Sequence, residues 1–286
     1  MTSHPILAVA KKEYVENFRN AYVAILSVIF LILIVITAYY SRAITSGESG
    51  AASLPATVTT MQTFTGFMIP ILALVAAYAT FAGEQESGSL ALLFAQPLTR
   101  LDVLLGKFLG LSAVLATTLL VGFGFGGLWV GSQSATTNWG DYAVYLALQI
   151  LWASAWVAVT ILFSSALKRR STAIGGAIAT WFLFSVLWPI LFFVLLLATG
   201  NPERLFRGDL PDWAAAFALL NPNEVFVLLQ AHVLPDYAGL IQRALVRTDL
   251  VAGDVESQKL VLGAAAVAWI VGPLAAAWAI VERKDL

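Results

Sequence analysis

Residues 83–108 read GEQESGSLALLFAQPLTRLDVLLGKF and separate two long charge-free runs, Ser49–Gly83 and Phe108–Gly140. Within the stretch, Glu84 and Glu86 precede Ser87, Gly88 and Ser89. That is a natural helix start, because acidic groups favour the positive end of a helix dipole. Leu90, Leu93 and Phe94 then fall on one face. Pro97 cannot continue a helix, and Thr99 and Asp102 have the Ser/Thr-x-x-acid spacing that opens the next one. The stretch predicts a short helix lying across the ends of two long ones, with charge at both its ends. A solvated turn is the simpler alternative.

Outward from this segment, charges are so sparse that they parse the chain. Of 286 residues, 59% are hydrophobic and 12% charged, about half the charged share of a soluble globular domain. A soluble enzyme and a disordered chain are both excluded. Six runs lack Asp, Glu, Lys and Arg: Asn20–Ser41, Ser49–Gly83, Phe108–Gly140, Tyr142–Leu167, Ser171–Pro202 and Leu260–Val281. Each exceeds the roughly 20 residues a spanning helix needs. The expected fold is an all-α integral membrane protein, one domain over 1–286, with spans near 21–40, 62–82, 106–129, 144–167, 172–198 and 260–281. The segment 200–259 has no comparable run and reads as a helical loop.

Lys and Arg in the short loops set the orientation. With the N-terminus in the cytoplasm, Lys11, Lys12, Arg19, Arg100, Lys107, Lys168, Arg169, Arg170, Arg283 and Lys284 all lie inside. The two short outer loops then hold only Arg42. Both termini are expected inside, in the cytoplasmic (inner) membrane, with 200–259 outside. No signal peptide is read at the N-terminus, since Lys11, Lys12, Glu13, Glu16 and Arg19 precede the first apolar run. There, Ile6, Val9, Ala10, Tyr14, Phe18 and Tyr22 form an apolar stripe opposite Lys12, Glu13, Glu16, Arg19 and Asn20. This is an amphipathic helix suited to the membrane interface.

Three stretches resemble a known family: KKEYVENFRN near the N-terminus, EQESGSLALLFAQPLTR, and LLGKFLG opening the third span. The chain resembles type-2 ABC transporter permeases. The run from Pro55 to Gly110, with NPNEVF at 221–226, is most similar to the NosY-like branch, which serves nitrous oxide reductase maturation. The resemblance implies that the N-terminal helix is an elbow helix. It also implies that residues 84–100 form a coupling helix docking on a separate ATPase subunit, with Glu84, Glu86, Leu90, Leu93, Phe94 and Arg100 as contacts. The partners so implied are an ABC ATPase dimer that binds the ATP and magnesium, and a second copy of this chain. No cofactor is expected in the chain itself.

Other chemistries are excluded by inventory. There is no cysteine, so thiolate metal sites and disulfides are absent. The two histidines, His4 and His232, lie outside the spans. No Asp, Glu, Lys or Arg is expected in a span core, where it would mark an ion or proton path. No G-x-x-x-x-G-K-[ST] occurs, so nucleotide must bind elsewhere. A net charge of −1 argues against a nucleic-acid partner. Met61 and Met68 share a face but make a poor copper path and read as core filling. Gly106 and Gly110, like Gly122 and Gly126, have the spacing of close helix packing. In the loop, Trp213, Phe217 and Leu220 share one side of a short helix. Asn221, Pro222 and Glu224 are a strong helix start. Val225, Phe226 and Leu229 are the expected docking face for an extracytoplasmic partner protein, with burial in lipid headgroups as the rival. The remaining alternatives are a non-transporting scaffold that anchors an extracytoplasmic complex, and a type-2 exporter of unrelated cargo.

Overall fold

The computed structural model describes residues 5–45, 54–94, 97–132, 138–199, 213–237 and 254–284. Among them the chain is helical throughout, and six helices are long and apolar enough to cross a membrane. An N-terminal helix α1 (Pro5–Phe18) leads into α2 (Ala21–Thr45) and α3 (Leu54–Ala77). Two short helices come next, α4 (Ala82–Glu86) and α5 (Ser89–Phe94). Then come α6 (Arg100–Gly131), α7 (Trp139–Ala166), α8 (Arg170–Phe182) and α9 (Trp188–Ala198), the last two joined by a π-helical turn at Leu183–Leu187. After α10 (Trp213–Leu219) and α11 (Pro222–Val233), α12 (Val255–Glu282) closes the bundle.

Several helix starts obey the sequence signals. Thr99 caps α6 in a reciprocal box: its hydroxyl accepts the Asp102 N–H at 3.1 Å, and the Asp102 carboxylate accepts the Thr99 N–H at 3.0 Å. The expected spans began too late at residues 106 and 260, against Arg100 and Val255 in the structure. Charges near a span's end belong to the same helix, projecting past the apolar core.

Small residues set the closest approaches. A Cβ on Gly106 would lie 2.6 Å from Val9, and one on Gly110 2.7 Å from Glu13 Cβ, so α1 sits in a notch of α6. Gly122 and Gly126 take Phe30 and Ile34 of α2 in the same way. Met61 is buried against Gly126 as core filling.

The segment between the fifth and sixth spans departs from expectation. Leu219 O accepts the Trp269 indole N–H at 3.1 Å. Asn221 Nδ2 donates to Phe184 O at 2.9 Å. Asn223 Oδ1 accepts both Trp152 Nε1 (3.2 Å) and Trp156 Nε1 (2.9 Å), while its Nδ2 donates to Ser185 Oγ at 3.1 Å. Trp152, Phe184 and Trp269 each stand at the middle of a long helix. The corner at 219–223 therefore lies at mid-height in the bundle: α10 and α11 form a re-entrant hairpin. Irregular backbone at that depth is tolerated only where protein buries and satisfies it, and Asn221 is fully buried.

The π-turn supplies part of that satisfaction. The Trp188 N–H reaches back five residues to Leu183 O. The next N–H in that register would belong to Pro189, which has none. Phe184 O is left for Asn221.

Val225, Phe226 and Leu229 were the expected docking face. They are 0%, 3% and 6% exposed, in the chain's own core. Periodicity located the helix correctly, but its apolar side is spent on packing within the chain and offers a partner nothing. His232 is likewise buried and linked to Gln258 of α12 at 2.7 Å. After α11, Pro235–Tyr237 forms a 3-10 turn.

Candidate functional site at the 81–107 junction

The acidic residues that open the 83–108 stretch form a helix of their own, α4, and Gly88, with φ +75°, separates it from α5. That left-handed conformation suits a residue without Cβ. The backbone of α4 is fixed first: the Phe81 and Ala82 N–H groups both donate to Ser164 Oγ of α7, at 2.9 and 3.1 Å. Three consecutive side chains then leave α4 in different directions. Glu84 Oε1 accepts Lys107 Nζ of α6 at 2.8 Å. Gln85 Oε1 accepts Lys284 Nζ, just past α12, at 2.7 Å. Glu86 Oε2 accepts the Arg170 N–H that opens α8, at 3.0 Å, with the Arg170 guanidinium 3.9 Å away.

Lys107 is the centre of this junction. Its side chain is 1% exposed, and its ammonium donates to Glu13 Oε1 of α1 at 2.6 Å as well as to Glu84. It also stands 5.4 Å from the centroid of the Phe81 ring, within cation–π range. A buried ammonium is tolerated only with such partners. Glu13 was expected on the polar, outward side of α1; it is buried instead, because the notch at Gly106 and Gly110 turns that side inward.

At the rim, Arg100 Nη1 donates to the carbonyls of Val281 and Glu282 (2.6 Å each) and Lys284 (3.0 Å), capping the C-terminus of α12. A cation at that end also complements the helix dipole. Burial, with the nearby charge of Lys168 as the lesser cause, holds the Lys284 ammonium below the ordinary lysine pKa. Both described ends of the chain thus lie at the same end of the bundle.

The six residues expected as one contact surface divide. Glu86 is exposed, as are Ser87, Gly88 and Ser89 after it. Glu84 turns inward to Lys107, Leu90 is 2% exposed in the core, and Leu93 packs against it. Arg100 is engaged with α12. The Phe94 side chain lies outside the described residues. Glu13, Gln85, Lys107, Ser164 and Arg170 were missed as members of the junction. Among the described residues no group of three or more His, Cys, Asp or Glu is placed to hold a metal ion.

A family model for ABC-2 family transporter proteins matches residues 7–286, nearly the whole chain. The chain belongs to the ABC-2 transporter family. Two relatives bear the name probable ABC transporter permease protein NosY. The one from Stutzerimonas stutzeri is 30% identical over 281 residues, covering 96% of this chain and 97% of the relative. The one from Pseudomonas aeruginosa is 32% identical over 229 residues, covering 78% and 80%. With its six apolar helices, this ABC-2 chain is a multi-pass membrane protein, the transmembrane subunit of an ABC transporter.

Proposed function

We propose that this permease converts ATP hydrolysis by separate ATPase subunits into motion of its spans, with residues 83–100 on the cytoplasmic side as the docking segment. The carrying observation is the fan of Glu84, Gln85 and Glu86 from one short helix to α6, the end of α12 and the start of α8. A push on α4 and α5 is felt at all three contacts. The docking surface is the exposed side, Glu86 to Ser89, with Gln85 and Leu90 transmitting behind it and Glu84 holding α4 to Lys107 in the resting form. ATP and magnesium belong to the ATPase.

The Arg170–Ala198 span is the least covered of the six, which fits lipid on part of its surface and a second copy on the rest. Closed two-fold pairs are the commonest oligomers. The names of the relatives support a role in nitrous oxide reductase maturation. There the motion moves a cargo at the dimer interface or drives an extracytoplasmic partner, which meets a surface other than Val225, Phe226 and Leu229.

The test is co-purification from cells expressing the neighbouring genes. An ABC ATPase is expected with the wild type and is lost from Glu86→Lys/Ser89→Arg, while the permease stays folded. Retention in that variant overturns the docking surface, and absence from the wild type favours a passive scaffold. Orientation is tested with introduced cysteines, since the chain has none. Cysteines at Ser87 and Ser171 are expected to resist an impermeant reagent added outside, and one at Asp236 to react. Labelling at Ser171 in intact cells reverses the topology.

A further inference from the structure

Two carboxylates share the Lys107 ammonium, and they are not equivalent. Glu13 uses both oxygens: Oε1 accepts Lys107 and Oε2 accepts Asn17 Nδ2 at 3.4 Å. Its side chain is 6% exposed, on a helix seated in the glycine notch of α6. Glu84 uses one oxygen; Oε2 is buried without a partner. Its side chain is 19% exposed, on a five-residue helix that ends at the Gly88 turn. Glu13 cannot leave Lys107 without lifting α1 out of its notch. Glu84 leaves by a shift of α4, which also loosens the Gln85–Lys284 and half-exposed Glu86–Arg170 contacts, and its departure exposes a carboxylate to water while a neutral Lys107–Glu13 pair stays behind.

The geometry points to Lys107 as a positioning residue that clips α4 to the fixed α1–α6 unit through Glu84, the clip opening when the docking segment is driven. This deepens the proposed coupling role and rests on it for the driving force only. The closed and open forms differ by the Glu84–Lys107 ion pair and by the rim contacts of Gln85 and Glu86, and they form a two-state element that partner binding biases.

The test uses the full-length permease in lipid nanodiscs, with spin labels on cysteines replacing Lys11 of α1 and Ser87 after α4. The distance distribution is measured alone and with the ATPase trapped in its ATP-bound state. Wild type is expected to show one short population alone and a longer one when trapped. Glu84→Ala is expected to show the longer population without any nucleotide, and Glu84→Asp, which keeps the charge, to restore much of the short one. Distributions of Glu84→Ala and wild type that superimpose overturn the clip, as does a trapped complex in which the wild-type distance never lengthens. Where Glu84→Ala does not assemble, Glu84→Gln makes the same comparison with the same two outcomes. If no ATPase binds the wild type, the docking reading fails, while the isolated permease still decides the clip.

Discussion

Among the described residues, two of the polar junctions between helices are built from different chemistry. At the end that carries both described ends of the chain, Lys107, Glu13, Glu84, Glu86 and Arg170 join helices through full charges. At mid-height, Asn221, Asn223, Trp152, Trp156 and Ser185 join helices through neutral amides, indoles and a hydroxyl, and Gln149 with Gln230 extends the pattern at 2.9 Å. Among the described residues the carboxyl group at that corner is Glu224, in the first turn of α11. The first junction has a half-exposed edge at Glu86 and Arg170, so a pair that opens there is re-solvated. At mid-membrane an opened ion pair has no such refuge, and neutral hydrogen bonds keep the hairpin seated at lower risk. Charge stands where the proposed coupling motion enters, and neutral amides where the hairpin is seated.

The largest expected effect tests the charged junction. Lys107→Met leaves the buried Glu13 and partly buried Glu84 carboxylates facing each other without a counter-charge, and breaking a buried ion pair from one side costs about 3–5 kcal/mol. Thermal unfolding in detergent is expected to show a strongly destabilised protein. Adding Glu13→Leu and Glu84→Leu is expected to recover most of the loss. A Lys107→Met single variant as stable as wild type would show that this junction is no more than a surface contact.

Next comes the neutral junction. Asn223→Leu removes the shared acceptor of two indoles, and each buried donor left unpaired costs about 1–3 kcal/mol. Hydrogen exchange is expected to rise across α10 and α11 and to stay unchanged across α4 and α6. Spread of the effect to α6 would mean that the two junctions are one cooperative unit.

A smaller effect belongs to the exposed edge of the charged junction. The Glu86 and Arg170 side chains are each about half exposed, so Glu86→Gln is expected to change stability by roughly 0–1 kcal/mol. ATPase retention on purification, by contrast, is expected to fall. A large loss of stability would place Glu86 among the structural ion pairs and remove it from the docking surface.

Least of all, and local, is the start of α12. Asp254 caps it by accepting the Ser257 N–H at 3.1 Å and the Ser257 hydroxyl, and these bonds hold its carboxyl below the usual aspartate pKa. A depressed folded-state value means the cap is fully present above the ordinary carboxylate range and is lost as pH falls through the depressed one. Amide exchange in the first turn of α12 is expected to quicken only in that acidic window. Asp254→Asn, which keeps an acceptor without a titrating proton, is expected to abolish the pH step.

The six spans were legible because each lacks charge over a bilayer's thickness. The α6 and α11 starts were legible because capping is a local matter of Thr99, Asp102 and Asn221. The hairpin's destination was not. Val225, Phe226 and Leu229 declare an apolar face, but a face against lipid, a partner or the chain's own spans has the same periodicity. Counting charge-free runs also made Lys107 a boundary marker and so hid its burial. A usable signal lay beside it: Gly106 and Gly110 bracket Lys107 with packing spacing, so a helix docking there had to cover the lysine and bring a carboxylate with it. Likewise Asn221 and Asn223, two amides around a proline, carried more hydrogen-bonding capacity than a helix cap needs.

The π-turn at 183–187 has a genetic consequence. It amounts to one residue inserted into an otherwise α-helical span, and at 3.6 residues per turn each added residue rotates the remainder of the helix by roughly 100°. The face carrying Ile178 and Phe182 is therefore not continued by the residues that an unbroken helix would place above it; Ile190, Phe193, Val194 and Leu197 are counted from a new origin. Homologous spans that differ in length by one residue here can present the same outer surface, whereas a one-residue gap anywhere else in the span would turn half of it away from its neighbours. Alignments of this region should place their gap at 183–187, and coupled substitutions across the span should be sought separately below and above it.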